Sequence, residues 1–294
     1  RKGRCYWLKC YEIPEGDKNF KGRAIQNMLN IEPDDSVNAL LRLRGLNDEE
    51  FVKSHYVVFA TKNGTVKKTS LEAYSRPRTN GVNAINIVEG DEVVDVRLTN
   101  GKNEIILANR NGRAVRFDED SIRTMGRVST GVRGMKLDDG DDQVVGMIVV
   151  NNAETETVMV VSENGYGKRS QVEDYRKTNR GGKGVKTFSI TEKTGRLVAI
   201  KNVTDDNDLM IINKSGIAIR LAVSECRVMG RATQGVRLIN LSKKNDVIAS
   251  VCKVMSTEKE AEVSGDKDDE NATPATDVQA TEAPQTETQT TETE

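Results

Sequence analysis

The sequence predicts an all-β fold in which five repeats of a four-stranded unit stack into a propeller-like domain. Three observations support this fold class: short apolar runs recur throughout residues 1–256, glycines recur in pairs at a nearly fixed interval, and each pair brackets a basic linker. A four-stranded sheet has an apolar face that it cannot bury alone, so neighbouring units must stack. Radial stacking of such units gives a propeller-like disc.

The glycine pairs define the repeat. They are Gly3 and Gly22, Gly64 and Gly81, Gly112 and Gly131, Gly165 and Gly184, and Gly216 and Gly235, at intervals of 19, 17, 19, 19 and 19 residues. The first glycines lie 61, 48, 53 and 51 residues apart, which suits a blade of four strands better than a helical repeat. Pairs such as Asn63-Gly64 favour type I′ hairpin turns. The second glycine, at the re-entry into a strand, indicates a bulge or a close backbone approach.

The apolar runs give the strands of each unit in order. The first unit is incomplete, with a strand over 4–9, a basic loop at 21–23, a closing strand over 37–43 and an extra loop over 44–50. The second unit has strands over 56–60, 65–69, 82–87 and 93–98, and the third over 104–108, 113–117, 132–137 and 144–150. The fourth has strands over 158–161, 167–169, 185–190 and 197–200, and the fifth over 209–212, 217–221, 236–241 and 247–254. One-turn helical segments such as 71–74 separate second from third strands, and no long helix is expected.

The start of the chain suggests a larger protein. Arg1-Lys2-Gly3 resembles the end of a hairpin turn whose preceding strand is missing, because every other unit has an apolar run directly before that turn. We therefore expect the chain to begin inside a longer polypeptide.

Charge divides the chain into two parts. Residues 257–294 contain 12 acidic and 2 basic residues and no aromatic residue, whereas residues 1–256 contain 42 basic and 33 acidic residues. The near-neutral total therefore hides a body of net charge +9 and a tail of net charge −10. A segment of this composition cannot bury enough apolar surface to offset chain entropy, so we predict a β domain over 1–256 and a disordered acidic tail over 257–294.

Several function classes find no support in the composition. The chain has one histidine, His55, which we predict to be a strand residue rather than a catalyst. The four cysteines are scattered and are expected to be small buried or half-buried residues. No apolar run approaches membrane-spanning length, and no signal peptide or phosphate-binding loop followed by a helix is present. We predict no metal or cofactor in this chain and a cytoplasmic protein.

Basic residues recur in phase with the repeat. A periodic array of cations can contact the regularly spaced phosphates of a DNA duplex without reading the bases. We therefore predict that DNA binds and bends along one rim of the domain. The predicted contacts are Lys21, Arg23, Lys67, Lys68, Arg76, Arg78, Arg113, Arg116, Arg127, Arg133, Lys168, Arg169, Arg180, Lys183, Arg220, Arg231 and Arg237. A protein-interaction platform is the alternative from another functional class.

Several motifs resemble those of the C-terminal domain of bacterial DNA gyrase A. They are Tyr6-Trp7-Leu8-Lys9, Tyr11-Glu12-Ile13-Pro14, Lys21-Gly22-Arg23, Asn27-Met28-Leu29, the stretch 163–169 and the stretch 228–236. The resemblance covers 1 to about 255. It implies a six-bladed β-pinwheel that binds and bends DNA around a basic outer edge, of which five repeats lie in this chain.

The resemblance also carries expectations about the parent enzyme. It implies a non-catalytic module of an ATP-dependent and Mg²⁺-dependent topoisomerase whose catalytic tyrosine and ATPase site lie elsewhere, in an A2B2 complex with gyrase B near the nucleoid. The family's signature box belongs to the first blade, upstream of Arg1. The box-like loop here is Arg180-Gly181-Gly182-Lys183-Gly184, which lacks the leading glutamine and basic residue. The corresponding C-terminal domain of topoisomerase IV is a close alternative, and the acidic tail resembles those that modulate wrapping.

Overall fold

Short antiparallel strands provide most of the regular structure in the computed structural model, which describes residues 2–17, 20–43, 45–138, 140–241 and 246–256. The strands are β1 (Arg4–Cys5), β2 (Tyr56–Thr61), β3 (Thr65–Ser70), β4 (Val82–Asn83), β5 (Val93–Thr99), β6 (Glu104–Asn109), β7 (Arg113–Asp118), β8 (Val132–Arg133), β9 (Val144–Val150), β10 (Thr157–Ser162), β11 (Tyr166–Gln171), β12 (Val185–Lys186), β13 (Leu197–Val203), β14 (Asn207–Asn213), β15 (Ala218–Ala222), β16 (Val236–Arg237) and β17 (Ile248–Met255). One α-helix, α1 (Glu49–Ser54), lies within the described residues, with 3₁₀ turns at Cys10–Glu12, Ile25–Asn27, Leu71–Tyr74, Glu119–Ser121, Val172–Asp174 and Val223–Glu225. The all-β prediction is confirmed, and the predicted acidic tail lies outside the described residues.

Each complete sheet contains a strand from the following repeat. The strand orders are β5-β2-β3-β8, β9-β6-β7-β12 and β13-β10-β11-β16, with antiparallel pairing throughout. The predicted third strand of each unit therefore leaves its own unit and completes the sheet before it. It is also shorter than predicted, because only its first two residues pair as a strand. We call β4, β8, β12 and β16 the donated strands.

The two ends of the array differ from the middle. Among the described residues, the first sheet contains only β1 and β4, and the last contains β15, β14 and β17 without a donated strand. The predicted closing strand over 37–43 is not a strand, and the predicted strand over 4–9 is reduced to β1. The extra loop ends in α1, whose N-terminus is capped by the Asp48 carboxylate accepting the Phe51 N–H at 3.0 Å.

The first glycine of each pair ends a three-residue hairpin loop. In the second unit the Gly64 N–H donates to the Thr61 carbonyl at 3.0 Å, and Gly64 has a φ of 85°. This arrangement places the positive φ at the last loop position, as in a type I turn followed by a bulge, and not at both central positions of the predicted type I′ turn. Hydrogen bonds of the same kind close the turns at Gly112, Gly165 and Gly216.

The second glycine of each pair permits the close approach that strand donation requires. A Cβ added to Gly81 would lie 2.7 Å from the Cys5 carbonyl oxygen, and one added to Gly131 would lie 2.5 Å from that of Val66. Gly184 and Gly235 meet carbonyl oxygens of the preceding unit in the same way. The prediction of a close backbone approach is therefore confirmed.

The apolar core is divided into layers between consecutive sheets. One layer, for example, joins Val58 and Val66 of the second unit to Leu107 and Phe117 of the third. Leu107 and Phe117 are fully buried, and each such side chain contributes about 2 kcal/mol to folding. The sheets pack on one another mainly along β5, β9, β13 and β17. They therefore converge at that edge, and β8, β12 and β16 form the opposite edge, which we call the outer edge.

The remaining residues singled out from the sequence have structural positions that differ in part from expectation. His55 ends α1 instead of lying in a strand, and its Nδ1 lies 2.9 Å from the Phe51 carbonyl oxygen. Cys226 is buried and Cys5 half-buried, but Cys10 and Cys252 are exposed. Within the described part of the chain, no helix is long and apolar enough to span a membrane.

Candidate nucleic-acid interface

Five of the predicted DNA contacts are buried, which contradicts the expectation that they lie on an exposed rim. They are Lys67, Lys68, Arg116, Lys168 and Arg169, each with an exposed fraction below 10%. All five lie on the second strand of a hairpin, where a lysine or arginine in the sequence looks like a solvent-facing residue.

Lys68, Arg116 and Arg169 occupy equivalent positions and attach each sheet to the next unit. The Arg116 Nη1 donates to the carbonyl oxygens of Val172 at 2.9 Å and Tyr175 at 3.0 Å. Lys68 Nζ likewise donates to the Glu119 carbonyl oxygen at 3.2 Å. These acceptors lie in or directly after the 3₁₀ turn of the following unit, so the buried cations fasten that turn to the preceding sheet.

Lys67 and Lys168 hold the basic linker of the following unit. Lys168 Nζ donates to the carbonyl oxygens of Gly230, at 2.7 Å, and of Arg231. Lys67 Nζ donates to the carbonyl oxygens of Ala84, at 2.6 Å, and of Arg127. Burial, together with the nearby Arg127 or Arg231 charge, lowers the pKa of each lysine to about 8.

The box-like loop is also fastened to the unit before it. Arg180 Nε donates to the Ser121 carbonyl oxygen and its Nη1 to that of Arg133, both at 2.9 Å. The Gly181 N–H donates to the Gly134 carbonyl oxygen at 2.6 Å. Arg231 repeats this role one unit later, with Nε bonded to the Asp174 carbonyl oxygen at 2.9 Å. Both arginines are half-buried, so their guanidinium groups are partly used by the fold.

The other predicted contacts remain accessible. Lys21, Arg23, Arg76, Arg78, Arg133, Lys183, Arg220 and Arg237 are exposed, and Arg113 and Arg127 are half-buried. Some have acidic neighbours, since Lys183 Nζ lies 3.1 Å from Asp138 Oδ1 and Arg220 Nε lies 2.6 Å from Asp208 Oδ2. The pair formed by Lys183 is solvent-exposed and contributes little to stability, whereas Asp208 in the other pair is buried.

A cation occupies the same cross-strand pair in four consecutive sheets. The pairs, each at the end of a donated strand, are Arg4 with Asn83, Thr65 with Arg133, Arg113 with Lys186, and Tyr166 with Arg237. Where the donated strand lacks a charge, at Asn83, the opposite strand supplies it as Arg4. The Arg237 guanidinium lies 5.5 Å from the Tyr166 ring centroid and donates to its hydroxyl, which fixes its position.

Sequence reasoning missed part of this array. Lys186 was not predicted as a contact, although it follows the valine after the second glycine, as Arg133 and Arg237 do. The register with those two residues was the available signal. Exposed arginines also recur after each of three 3₁₀ turns, at Arg123, Arg176 and Arg227.

The five-repeat architecture has a direct counterpart among known families. The profile of the family described as "DNA gyrase C-terminal domain, beta-propeller" matches residues 1–44, 55–100, 103–151, 156–204 and 207–252. The chain belongs to the DNA gyrase C-terminal domain family. Each matched segment corresponds to one glycine pair, so the repeats of this family coincide with the five units found here.

Relatives of the gyrase C-terminal domain family support this assignment. The DNA gyrase A proteins of Staphylococcus epidermidis and Staphylococcus aureus are each 44% identical over 253 residues, which is 86% of this chain. The chain spans 28% of the length of these relatives. It is therefore similar to one domain of a longer polypeptide.

Solved structures share the fold. The C-terminal domain of DNA topoisomerase IV superposes with a TM-score of 0.78 at 26% identity, covering 92% of this chain and 82% of that one. A DNA gyrase A C-terminal domain superposes with a TM-score of 0.74 at 24% identity, covering 86% and 80%. The latter likeness establishes the fold alone.

Proposed function

We propose that this domain binds duplex DNA without sequence preference and bends it along the outer edge, as the non-catalytic wrapping module of a gyrase A protein. The observation that carries the proposal is the cation at the same cross-strand pair of four consecutive sheets. Those pairs lie on the edge away from the convergence of the sheets, so a duplex that follows them meets at least one cation in each of the four sheets.

The energetics favour an extended track over a single contact. DNA has a persistence length of about 50 nm, and a sharp bend over 20–30 base pairs costs several kcal/mol. One basic loop could not offset that cost, whereas a track of cations on successive units could. Lysine and arginine bind phosphate oxygens without reading base edges, which accounts for sequence-independent binding.

We further propose that the catalytic steps belong to other parts of the enzyme. The chain corresponds to 28% of the length of the related gyrase A proteins, so most of such a protein lies outside the domain described here. ATP and Mg²⁺ would be used by the rest of gyrase A and by gyrase B in an A2B2 complex. The domain would then support negative supercoiling in the bacterial cytoplasm, at the nucleoid.

Gyrase is favoured over topoisomerase IV as the parent enzyme. The identity to gyrase A is 44% over 253 residues, compared with 26% to the topoisomerase IV domain that shares the fold. Supercoiling of relaxed plasmid by the complete enzyme would support gyrase, and relaxation or decatenation alone would support topoisomerase IV.

The test of DNA binding is the salt dependence of affinity for a series of variants. The variant Arg133→Gln/Lys186→Gln/Arg237→Gln removes three outer-edge charges, and Lys53→Gln/Lys102→Gln/Lys214→Gln removes three exposed charges outside the donated strands. Each phosphate neutralised contributes about 0.9 to the log–log salt slope, so the outer-edge variant should lose about 2 to 3 from the slope and bend DNA less. The control should retain both properties.

A slope near zero for the unmodified protein would overturn the proposal. Binding to a protein partner that resists salt and is indifferent to Arg180, Lys183 and Arg231 would instead support the interaction platform.

A further inference from the structure

A cleft of about 260 Å³ opens where the first three units meet. It is lined by Arg4 of β1, by Arg78 and Asn83 of the second unit, and by Arg127 of the third, together with small apolar and glycine residues. None of the described residues that line it is an aspartate or a glutamate. The cleft is far larger than the roughly 10–15 Å³ that holds one water molecule, so it has room for a phosphate group.

The three arginines of this cleft are almost unused by the fold. Arg4 Nη2 donates to the Asn80 carbonyl oxygen at 2.6 Å, but its Nε is buried and has no partner among the described residues. The side chains of Arg78 and Arg127 form no hydrogen bond or ion pair within the described part of the chain. The guanidinium groups of Arg78 and Arg127 are therefore free to donate to an anion in the cleft.

Comparison with the other units identifies Arg127 as the exception. Arg180 and Arg231 stand at the same position, four residues before the second glycine, and each donates two hydrogen bonds to the preceding unit. In the second unit, which precedes the unit of Arg127, the two glycines of the pair are 17 residues apart, whereas in the other units they are 19 apart. Arg127 forms neither of those hydrogen bonds among the described residues and lines the cleft instead.

The electrostatic environment of the cleft is strongly positive. Lys67 Nζ donates to the Arg127 carbonyl oxygen, and the Arg127 charge adds to burial in lowering the Lys67 pKa. Arg4 also belongs to the cross-strand pair that continues the outer-edge array. Like charges at this density repel one another, and an anion between them relieves that repulsion.

We propose that the Arg4–Arg78–Arg127 cleft binds one phosphodiester group of the DNA backbone. The inference rests on the proposed function, which supplies DNA as the source of the phosphate. The cleft would hold the duplex at one position, and the duplex would continue from there along the outer edge. Recognition requires only the two non-bridging oxygens, which guanidinium groups bind in a forked geometry.

The arginine Nε–H resonances report directly on the cleft. In isotope-labelled protein, inorganic pyrophosphate and short duplex DNA are each expected to shift the Arg4 Nε–H signal. The variant Arg78→Gln/Arg127→Gln should lose both shifts, bind DNA about tenfold more weakly, and lose about 0.9 from the salt slope. The exposed pair Arg42→Gln/Lys53→Gln carries the same change in net charge and should leave the Arg4 signal responsive.

The outcomes separate this site from the general proposal. If wild type binds DNA normally and the cleft variant and the control bind it with equal affinity, the cleft is not a phosphate site. The proposed DNA-binding function would still stand. A response to pyrophosphate but not to DNA would overturn the phosphodiester and indicate a soluble phosphate compound. If wild type binds no DNA, the proposed function fails and the phosphodiester assignment fails with it.

Discussion

Gly235 has no room for a side chain because the donated strand β16 crosses the preceding unit at that point. An added Cβ would lie 2.5 Å from the Gly167 carbonyl oxygen, and the residue has a φ of 76°. Gly216, in the same unit, has a φ of 85° but nothing within 4 Å of an added Cβ. Substitution of Gly216 therefore measures the free-energy cost of a left-handed backbone alone, whereas substitution of Gly235 adds the cost of the close approach.

We expect Gly235→Ala to destabilise the domain by about 3 kcal/mol and Gly216→Ala by about 1 kcal/mol, the cost of a left-handed residue with a Cβ. The measurement is urea unfolding followed by circular dichroism, with the second variant as the control. Equal losses would show that the close approach carries no free-energy cost.

Lys168 links the stability of the domain to pH. Its pKa falls from a usual value near 10.5 to about 8 through burial and the neighbouring Arg231. Between those two values the unfolded chain binds more protons than the folded one. The free energy of unfolding therefore rises with pH across this window, by about 1 kcal/mol per pH unit for one such lysine.

Lys168→Met should remove this contribution. The difference in unfolding free energy between wild type and variant is expected to move in favour of wild type by about 1 kcal/mol per unit between pH 8 and 10, measured by urea titration at several pH values. Lys53→Met, at an exposed position, is the control and should show no such trend. Parallel pH profiles for wild type and Lys168→Met would contradict the buried-lysine argument.

At the level of elements, strand donation leaves β15 different from its counterparts. Strands β3, β7 and β11 each lie between two neighbours, whereas β15 pairs only with β14 among the described strands. Its outer backbone N–H groups therefore lack the ladder that the other units have, and such edges open at lower free energy.

We expect amide hydrogen exchange in Ala218–Ala222 to be at least about tenfold faster than in Tyr166–Gln171, the equivalent strand one unit earlier. Mass spectrometry of the exchanging amides resolves the two segments within one sample, so each serves as the reference for the other. Equal protection would mean that β15 is covered by another part of the chain.

Sequence periodicity was sufficient to predict the strands but not which strands pair with one another. The apolar runs and glycine intervals located the ends of the long strands to within three residues, since hairpins depend on local turn chemistry. Val132-Arg133 carries no local signal that it pairs with Thr65-Val66 of the previous unit, because pairing over that separation is decided by packing. For the same reason Lys67 and Lys168 resembled surface residues, whereas carbonyl oxygens of the next unit hold both in the interior.

At the level of the whole molecule, charge is divided between the two ends of the sequence. Residues 1–256 carry a net charge of +9 and residues 257–294 a net charge of −10. An acidic segment joined to a basic domain competes with DNA for the basic side chains at a high effective concentration, and salt weakens that competition.

We expect deletion of 257–294 to tighten DNA binding at low ionic strength, because the acidic residues no longer compete for the cations of the outer edge. Fluorescence anisotropy with a labelled duplex measures the effect, and its disappearance at high salt is the internal control. Unchanged or weaker affinity would contradict competition by the tail.

Donation of each short strand to an earlier unit has a consequence for biosynthesis. β3 ends at Ser70 and the strand that completes its sheet begins at Val132, so roughly 60 further residues must leave the ribosome before that sheet is finished. The nascent chain therefore always presents one uncovered hairpin, which the next unit seals while exposing its own. The sheets are therefore completed one after another from the amino terminus. A stalled ribosome would leave an unpaired strand edge that can pair with other chains.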